Sequence, residues 1–425
     1  MLDRIRQTAL FKRLQPSYHL ALAFLAALRY GFPSKKLVII GVTGTKGKSS
    51  VVELTSEMLR AGGLTVATLS TIHFQLDGED RPNRFKMTMP GRFFVHRFLR
   101  EAVDAGCTHA VLEMSSEGAK LWRHAFVEMN ALIFTNLTPE HIEAHGSFEK
   151  YKACKLRLRD RLIRSKKERR YVLANRDSEH APDFLDVPEG IERLTYALED
   201  VRPYHTNERG VLFTFRGESV RCPLVGEFAI SNILAALRAA EVEGVSVAAM
   251  KQRLATLTTI KGRAEHIDAG QDFTAIVDYA HTAESLEALY TAFTPKAPGK
   301  RICVLGNTGG GRDTWKRPKM AAVADRFCDH IILTNEDPYD EDPRQIVAQM
   351  EEGIEVHTPE IIMDRRQAIR HALTLAQNPH DVVLVTGKGT DPYIMGPGGS
   401  REEWSDAAVV QEELEQLDAN QKKMI

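Results

Sequence analysis

The decapeptide GVTGTKGKSS, Gly41–Ser50, does most to limit the folds open to this chain. It follows the apolar run LVII (Leu37–Ile40) and precedes VVELTSEMLRAGG, whose apolar spacing predicts a helix. A strand, a glycine-rich turn and a helix start together form a phosphate cradle. Backbone N–H groups face the anion, and the helix dipole favours its charge. Lys48 would reach the outer phosphates and the Ser49 hydroxyl would ligate Mg2+, with Gly44, Thr45, Lys46, Gly47 and Ser50 completing the loop. Val42 stands where the common G-x-x-x-x-G-K-[ST] pattern has its first glycine, which points to a subfamily.

At 425 residues the chain exceeds one ordinary core, so two or three domains are expected. A net charge of −1 gives no electrostatic basis for nucleic-acid binding. The cysteines (107, 154, 222, 303 and 328) form no C-x-x-C pair, which fits a reduced, cytoplasmic protein without structural zinc. Continuous apolar runs at 37–42, 109–114 and 131–136 predict buried parallel strands with helices between them. Alternation around 208–222 predicts antiparallel strands at one edge, followed by a helix ending at Gly244. Four more buried strands are expected at 273–280, 301–307, 330–335 and 381–387. The expected fold class is α/β, a central P-loop parallel-sheet ATPase domain plus a C-terminal Rossmann-like α/β domain. The organisation is a helical segment over 1–36, the central domain over 37–260 and the C-terminal domain over 261–425.

Residues 18–33, YHLALAFLAALRYGFP, are apolar but interrupted by His19 and Arg29. They are too short to span a bilayer comfortably and lack a small-residue cleavage site. They read as a helix packed on the next domain. The alternative is an interfacial helix on an anionic membrane, which makes residues 1–36 a candidate for peripheral membrane contact.

The second central strand ends in EMSSEGA, placing Glu113 where a carboxylate could meet the metal held by Ser49. The third ends in FTNLTPEHIEAHGSFEKYKACK, which gathers Asn136, His141, His145 and Lys155. H-I-E-A-H puts its Glu one place too late for the zinc-protease motif H-E-x-x-H. In order along the chain, GVTGTKGKSS, EMSS, FTNLTPEHIEAHG, GEFAISN, KGRAEHI, VDYAHTAESL, GGGRDTWKRPKM and GKGTD resemble the Mur ligase family over about residues 37–410. Within it they look most like the MurE type, which adds the third amino acid of the peptidoglycan muropeptide.

The resemblance implies an ATP-dependent acid–amino-acid ligase. A substrate carboxylate attacks the γ-phosphate and becomes an acyl phosphate, and an amino-acid amine then displaces phosphate to leave an amide. It implies that Lys48 stabilises the charge, that Ser49 and Glu113 hold one Mg2+, and that Glu113, His141 and a carbamylated Lys155 surround a second. It also implies that Asn232 lies near adenine and that Arg263 and Asp278 contact phosphate and ribose. Thr88, Ser115, Ser116, His281, Glu336, Asp337, Tyr339, Gly387 and Asp391 fall at its substrate positions.

Three departures bear on the substrate. About 36 residues precede the phosphate strand, where enzymes of this type carry a domain for the uridine nucleotide. A muropeptide without UDP, lipid-linked or free, is therefore an expected acyl substrate, alongside a different hold on UDP. Relatives that add diaminopimelate carry D-N-P-R, whose Arg clamps a carboxylate in bidentate fashion. Here the run is Asn335-Glu336-Asp337-Pro338-Tyr339, which predicts a cationic amino acid such as lysine or ornithine. The T-T-P-[DE] substrate loop appears as Thr88-Met89-Pro90-Gly91, and Lys46 replaces a common Asn. The competing readings are a folylpolyglutamate- or poly-γ-glutamate-type ligase and a non-catalytic nucleotide-binding subunit.

Overall fold

The computed structural model describes residues 9–140, 142–311 and 313–424. They fall into two compact units. One holds the chain to Pro203 with Phe213–Val220 and Ile230–Ala255. The other holds Tyr204–Leu212, Arg221–Ala229 and the chain from Thr256 onward.

The first unit is built on an eight-stranded sheet of order β4-β3-β2-β5-β1-β6-β7-β8. Its strands are β1 (Val38–Thr43), β2 (Val66–Leu69), β3 (His73–Leu76), β4 (Glu79–Pro82), β5 (His109–Glu113), β6 (Ala131–Phe134), β7 (Tyr171–Asn175) and β8 (Glu192–Tyr196). The central strands are apolar on both faces because both are covered. Ile39, Leu112 and Leu132 enter one core cluster, while Ile40, Val111 and Ile133, of opposite parity, are equally buried. β1 lies between β5 and β6 in parallel register, with Val42 opposite Glu113 and Thr43 opposite Phe134. Three neighbouring strand ends therefore carry the phosphate loop, Glu113 and Asn136 at one edge, where open α/β sheets bind ligands.

Helices of this unit include α1 (Ala9–Arg29), α2 (Lys48–Ala61), α3 (Arg92–Asp104), α4 (Ser116–Lys120), α5 (Phe148–Ile163) and α6 (Glu227–Val242). α1 packs on α3 through Ala23, Ala26 and Ala27, all fully buried, and Arg92 Nη2 donates to His19 Nδ1 at 2.5 Å.

The antiparallel edge of the main sheet is β3–β4, closed by the two-residue turn Asp77-Gly78. The sequence reading placed antiparallel strands around 208–222 at an edge. Instead β9 (His205–Asn207), β10 (Gly210–Phe215) and β11 (Glu218–Cys222) form a separate three-stranded sheet. The Asp-Gly pair was the local hairpin signal for the true edge.

The second unit carries a six-stranded sheet of order β12-β13-β17-β14-β15-β16. It comprises β12 (Glu265–His266), β13 (Thr274–Asp278), β14 (Arg301–Leu305), β15 (His330–Leu333), β16 (Glu360–Ile361) and β17 (Val382–Thr386). Strands β13, β17, β14 and β15 pair in parallel, with apolar clusters on both faces. Cys303 on β14 and Cys328 form a disulfide, which corrects the expectation of five reduced thiols. The pair is 25 residues apart and is joined only by the return of the chain alongside β14, so no local motif announces it. Cys107, Cys154 and Cys222 are free and buried.

Candidate active site

The phosphate loop follows β1 and ends in Gly47, the cap of α2, which has no side-chain hydrogen bond to the helix N-terminus. Gly44 and Gly47 both have positive φ in close quarters. A Cβ on Gly44 would lie 1.9 Å from Thr135 Oγ1, and one on Gly47 would lie 2.5 Å from Asn232 Oδ1. Asn136 holds the loop from outside. Its Oδ1 accepts from Lys46 N at 2.8 Å, its Nδ2 donates to Lys46 O at 3.2 Å, and its carbonyl accepts from Thr45 N at 2.9 Å. Thr45 Oγ1 adds a 3.0 Å hydrogen bond with Tyr151 OH. A backbone anchored this way keeps its N–H directions when an anion arrives, so little reorganisation is needed. Lys48 Nζ donates to Thr45 O at 2.8 Å, and Lys46 pairs with the buried Glu140 at 3.3 Å.

Lys155 projects from α5 into this region and is 1% exposed. Its Nζ donates to Gly44 O at 2.5 Å. Burial, reinforced by the charge of Lys48, holds its amine well below the ordinary lysine range, with Glu140 and Glu113 pulling the other way. Lys155 therefore sits in the combined field of Lys48, Glu140 and Glu113. Glu113, 2% exposed, accepts from Thr71 N at 2.7 Å, and Thr71 Oγ1 shares a 2.9 Å hydrogen bond with Thr88 Oγ1. Ser116 Oγ lies 3.2 Å from His145 Nε2. Ser115 Oγ accepts from Gly118 N at 3.1 Å and is the N-cap of α4, a structural duty for a residue expected to touch substrate. His141 lies outside the described residues.

The cradle suits a nucleotide phosphate, since it combines an uncapped helix N-terminus with two positions where any side chain would collide. Among the described residues no three His, Cys, Asp or Glu side chains cluster as a metal site. A divalent ion here would take hard oxygen ligands from Ser49 and Glu113, and its remaining positions would fall to phosphate and water.

In the second unit the strand-end loops hold the other expected residues. Asp278, at the end of β13, accepts from Ala280 N and Ala264 N, both at 2.6 Å. The Arg263 guanidinium lies 4.6 Å from the Tyr279 ring centroid, and His281 Nδ1 is 2.7 Å from Tyr279 O. Lys388 is fully buried and pairs with Asp337 at 2.8 Å, with Asp391 at 3.7 Å. Glu336 is 3% exposed and accepts from Thr308 Oγ1 at 2.8 Å. Burial and the neighbouring Asp337 push its carboxyl above the usual carboxylate range. Tyr339 has φ 53, an unusual conformation for an aromatic residue.

Two family descriptions match this chain: Mur ligase middle domain over residues 42–240, and Mur ligase, glutamate ligase domain over residues 262–389. The chain belongs to the Mur ligase family. A UDP-N-acetylmuramyl-tripeptide synthetase of Roseiflexus sp. (strain RS-1) is 37% identical, over 95% of this chain and 83% of that protein. Among solved structures, a UDP-N-acetylmuramoyl-L-alanyl-D-glutamate–2,6-diaminopimelate ligase aligns with TM-score 0.61 at 29% identity. That alignment covers 90% of this chain and 79% of the other. A folylpolyglutamate synthase of Mycobacterium tuberculosis, complexed with ADP and AMPPCP, aligns with TM-score 0.70 at 16% identity, over 87% and 93%, and shares the fold.

This Mur ligase is an ATP-dependent, ADP-forming ligase with the expected α/β architecture. Its structure gathers Gly44–Ser50, Glu113, Lys155 and Asn232 in one unit, and Arg263, Asp278, Tyr279 and His281 in the other. Sequence reading missed Arg123, which donates to the carbonyl of Met89 in the Thr88–Gly91 loop. It also missed Lys388 and Arg365. Arg365 is fully buried, pairs with Asp406 at 2.7 Å and donates to Thr386 O at 2.8 Å and Asn335 O at 3.3 Å. Lys388 was legible as the cationic member of GKGTD. Arg365 had no local signal, because its partners come from distant strand ends.

Proposed function

We propose that this Mur ligase activates the carboxylate of a muropeptide-like cell-wall precursor and joins it to a cationic amino acid. The observation that carries the first half is Lys155, a buried amine in the field of Lys48, Glu113 and Glu140 and bonded to the phosphate loop. A neutral lysine amine is the form that adds CO2, and the resulting carbamate would be a carboxylate-like group beside Glu113. Ser49 and Glu113 would hold Mg2+, which would supply Lewis-acid stabilisation of the phosphate charge. Lys48 adds positive charge where the substrate carboxylate approaches the γ-phosphate, the meeting of two anions that most needs it. Residues 37–260 serve the ATP phosphates and the acyl group, and 261–425 bring Arg263 and Asp278 to the nucleotide and serve the amine.

The amine preference rests on Glu336, Asp337 and Asp391. Lys388 offsets only part of their charge, and Tyr339 cannot form the bidentate clamp of an arginine. The acyl substrate is proposed to be a muropeptide without UDP, lipid-linked or free. The reading is of a cytoplasmic enzyme in peripheral contact with a membrane through residues 1–36.

The test is ADP release with Mg-ATP. Lysine, ornithine and diaminopimelate are each offered with a muramoyl dipeptide, with and without UDP, and glutamate is offered with a folate as the alternative acyl substrate. Lysine or ornithine should turn over on the UDP-free dipeptide. Equal turnover of diaminopimelate would refute the cationic preference. Turnover only with UDP attached would refute the carrier assignment, and turnover only on folate would move the enzyme to the folylpolyglutamate type. Nucleotide binding with no ADP release on any acceptor would mark a non-catalytic subunit.

A further inference from the structure

Between Tyr18 and Leu28, α1 carries apolar side chains on its packed side and on its exposed side. Ala23, Ala26 and Ala27 are fully buried, while Tyr18, Phe24, Leu25 and Leu28 are 56%, 44%, 51% and 55% exposed. Tyr18, Leu25 and Leu28 fall on one stripe of the helix at spacings of seven and three. A contiguous exposed face of this kind calls for a cover.

The charge pattern indicates which cover. Residues 9–36 contain Lys12, Arg13, Arg29, Lys35 and Lys36 and no Asp or Glu, in a chain whose net charge is −1. Arg29, Lys35 and Lys36 are exposed, and Lys35 Nζ stands 4.8 Å from the Phe32 ring centroid, which is 6.2 Å from that of Phe24. Cations thus border the apolar face. Among the described residues no helix is long and apolar enough to cross a membrane, so the geometry suits a helix lying in the plane of the headgroups.

We infer that α1 docks on an anionic lipid surface, burying Tyr18, Phe24, Leu25 and Leu28 at the headgroup boundary with Arg29, Lys35 and Lys36 against lipid phosphates. The other side of α1 meets the substrate loop indirectly. His19 accepts from Arg92, and Arg92 directly follows Thr88–Gly91. Docking would therefore hold the helix that Arg92 ties to this loop at the membrane from which a lipid-carried substrate would come. Only this purpose rests on the proposed substrate; the docking does not.

The experiment is co-sedimentation of the full chain with vesicles of phosphatidylcholine alone and of equimolar phosphatidylcholine and phosphatidylglycerol. Binding is expected on the anionic vesicles only. In the double variant L25S/L28S it should fall about tenfold or more, with unchanged circular dichroism and unchanged ADP release on a water-soluble dipeptide. K35E/K36E, which leaves the apolar face intact, should weaken binding as well. Equal binding to neutral vesicles, or binding unaffected by L25S/L28S, would overturn the docking. A dimer in light scattering that L25S/L28S converts to monomer would also overturn it, by assigning the face to a second copy of the chain. Because binding is read without turnover, its failure leaves the ligase reading standing, and failure of that reading leaves the docking intact.

Discussion

Lys155 shows how one environment can convert a surface residue type into a reactive one. A lysine held below its ordinary range binds fewer protons folded than unfolded, so it makes stability rise with pH. Lys155→Met should remove that dependence, keep or raise the melting temperature at neutral pH, and lower ADP release by about 100-fold or more. Uptake of labelled CO2 by the wild type, absent in the variant, would check the carbamate directly. Glu336 works in the opposite sense. Its raised proton affinity means the folded state binds more protons, so its contribution to stability falls as pH rises through the carboxylate range. Glu336→Gln should therefore be more stable than the wild type at neutral pH, which urea titrations would read as a higher midpoint. It should also lose preference for a cationic amine. The motif GTKGKSS announced the loop residues, because a phosphate cradle is a local backbone feature. Ser115 carries a duty that its motif did not announce, because the cap it forms depends on the position of Gly118 N.

At the scale of elements, the parallel strands were legible as continuous apolar runs, since burial on both faces removes alternation. The edge hairpin β3–β4 was not. Glu79–Pro82 is wholly exposed and polar, and its pairing depends on the Asp77-Gly78 turn. α3 carries a buried histidine. His96 Nε2 donates to Ala125 O at 3.1 Å, and burial lowers its pKa from 6.5 to about 4. A histidine with a depressed folded-state pKa contributes stability that is fully present above 6.5 and is lost as pH falls toward about 4. The loss over that window is about 3 kcal/mol. His96→Gln, which can keep the hydrogen bond, should flatten the denaturant midpoint between those pH values. A short helix such as α4 depends on its cap. Ser115→Ala should cost about 1 kcal/mol in thermal unfolding.

For the molecule as a whole, each unit surrounds its own sheet, and ligand binding to the first should register as global stabilisation. A Mg-bound non-hydrolysable ATP analogue at about 100 times its Kd should add roughly 2.7 kcal/mol. Scanning fluorimetry should show that shift in the wild type and lose most of it in Lys48→Met. By itself the sequence determined the α/β class, the phosphate loop, the family and the candidate ligands. These rest on local patterns: runs of buried residues, glycine spacing and contiguous motifs. Only the tertiary structure decided that Lys155 is buried beside Gly44, that Lys388 already neutralises part of the acidic cluster, that Cys303 meets Cys328, and that one half of α1 is left uncovered. Each of these depends on groups distant in the chain arriving at one place. Desolvation and Coulomb energies are set by that arrival, and sequence spacing carries no record of it.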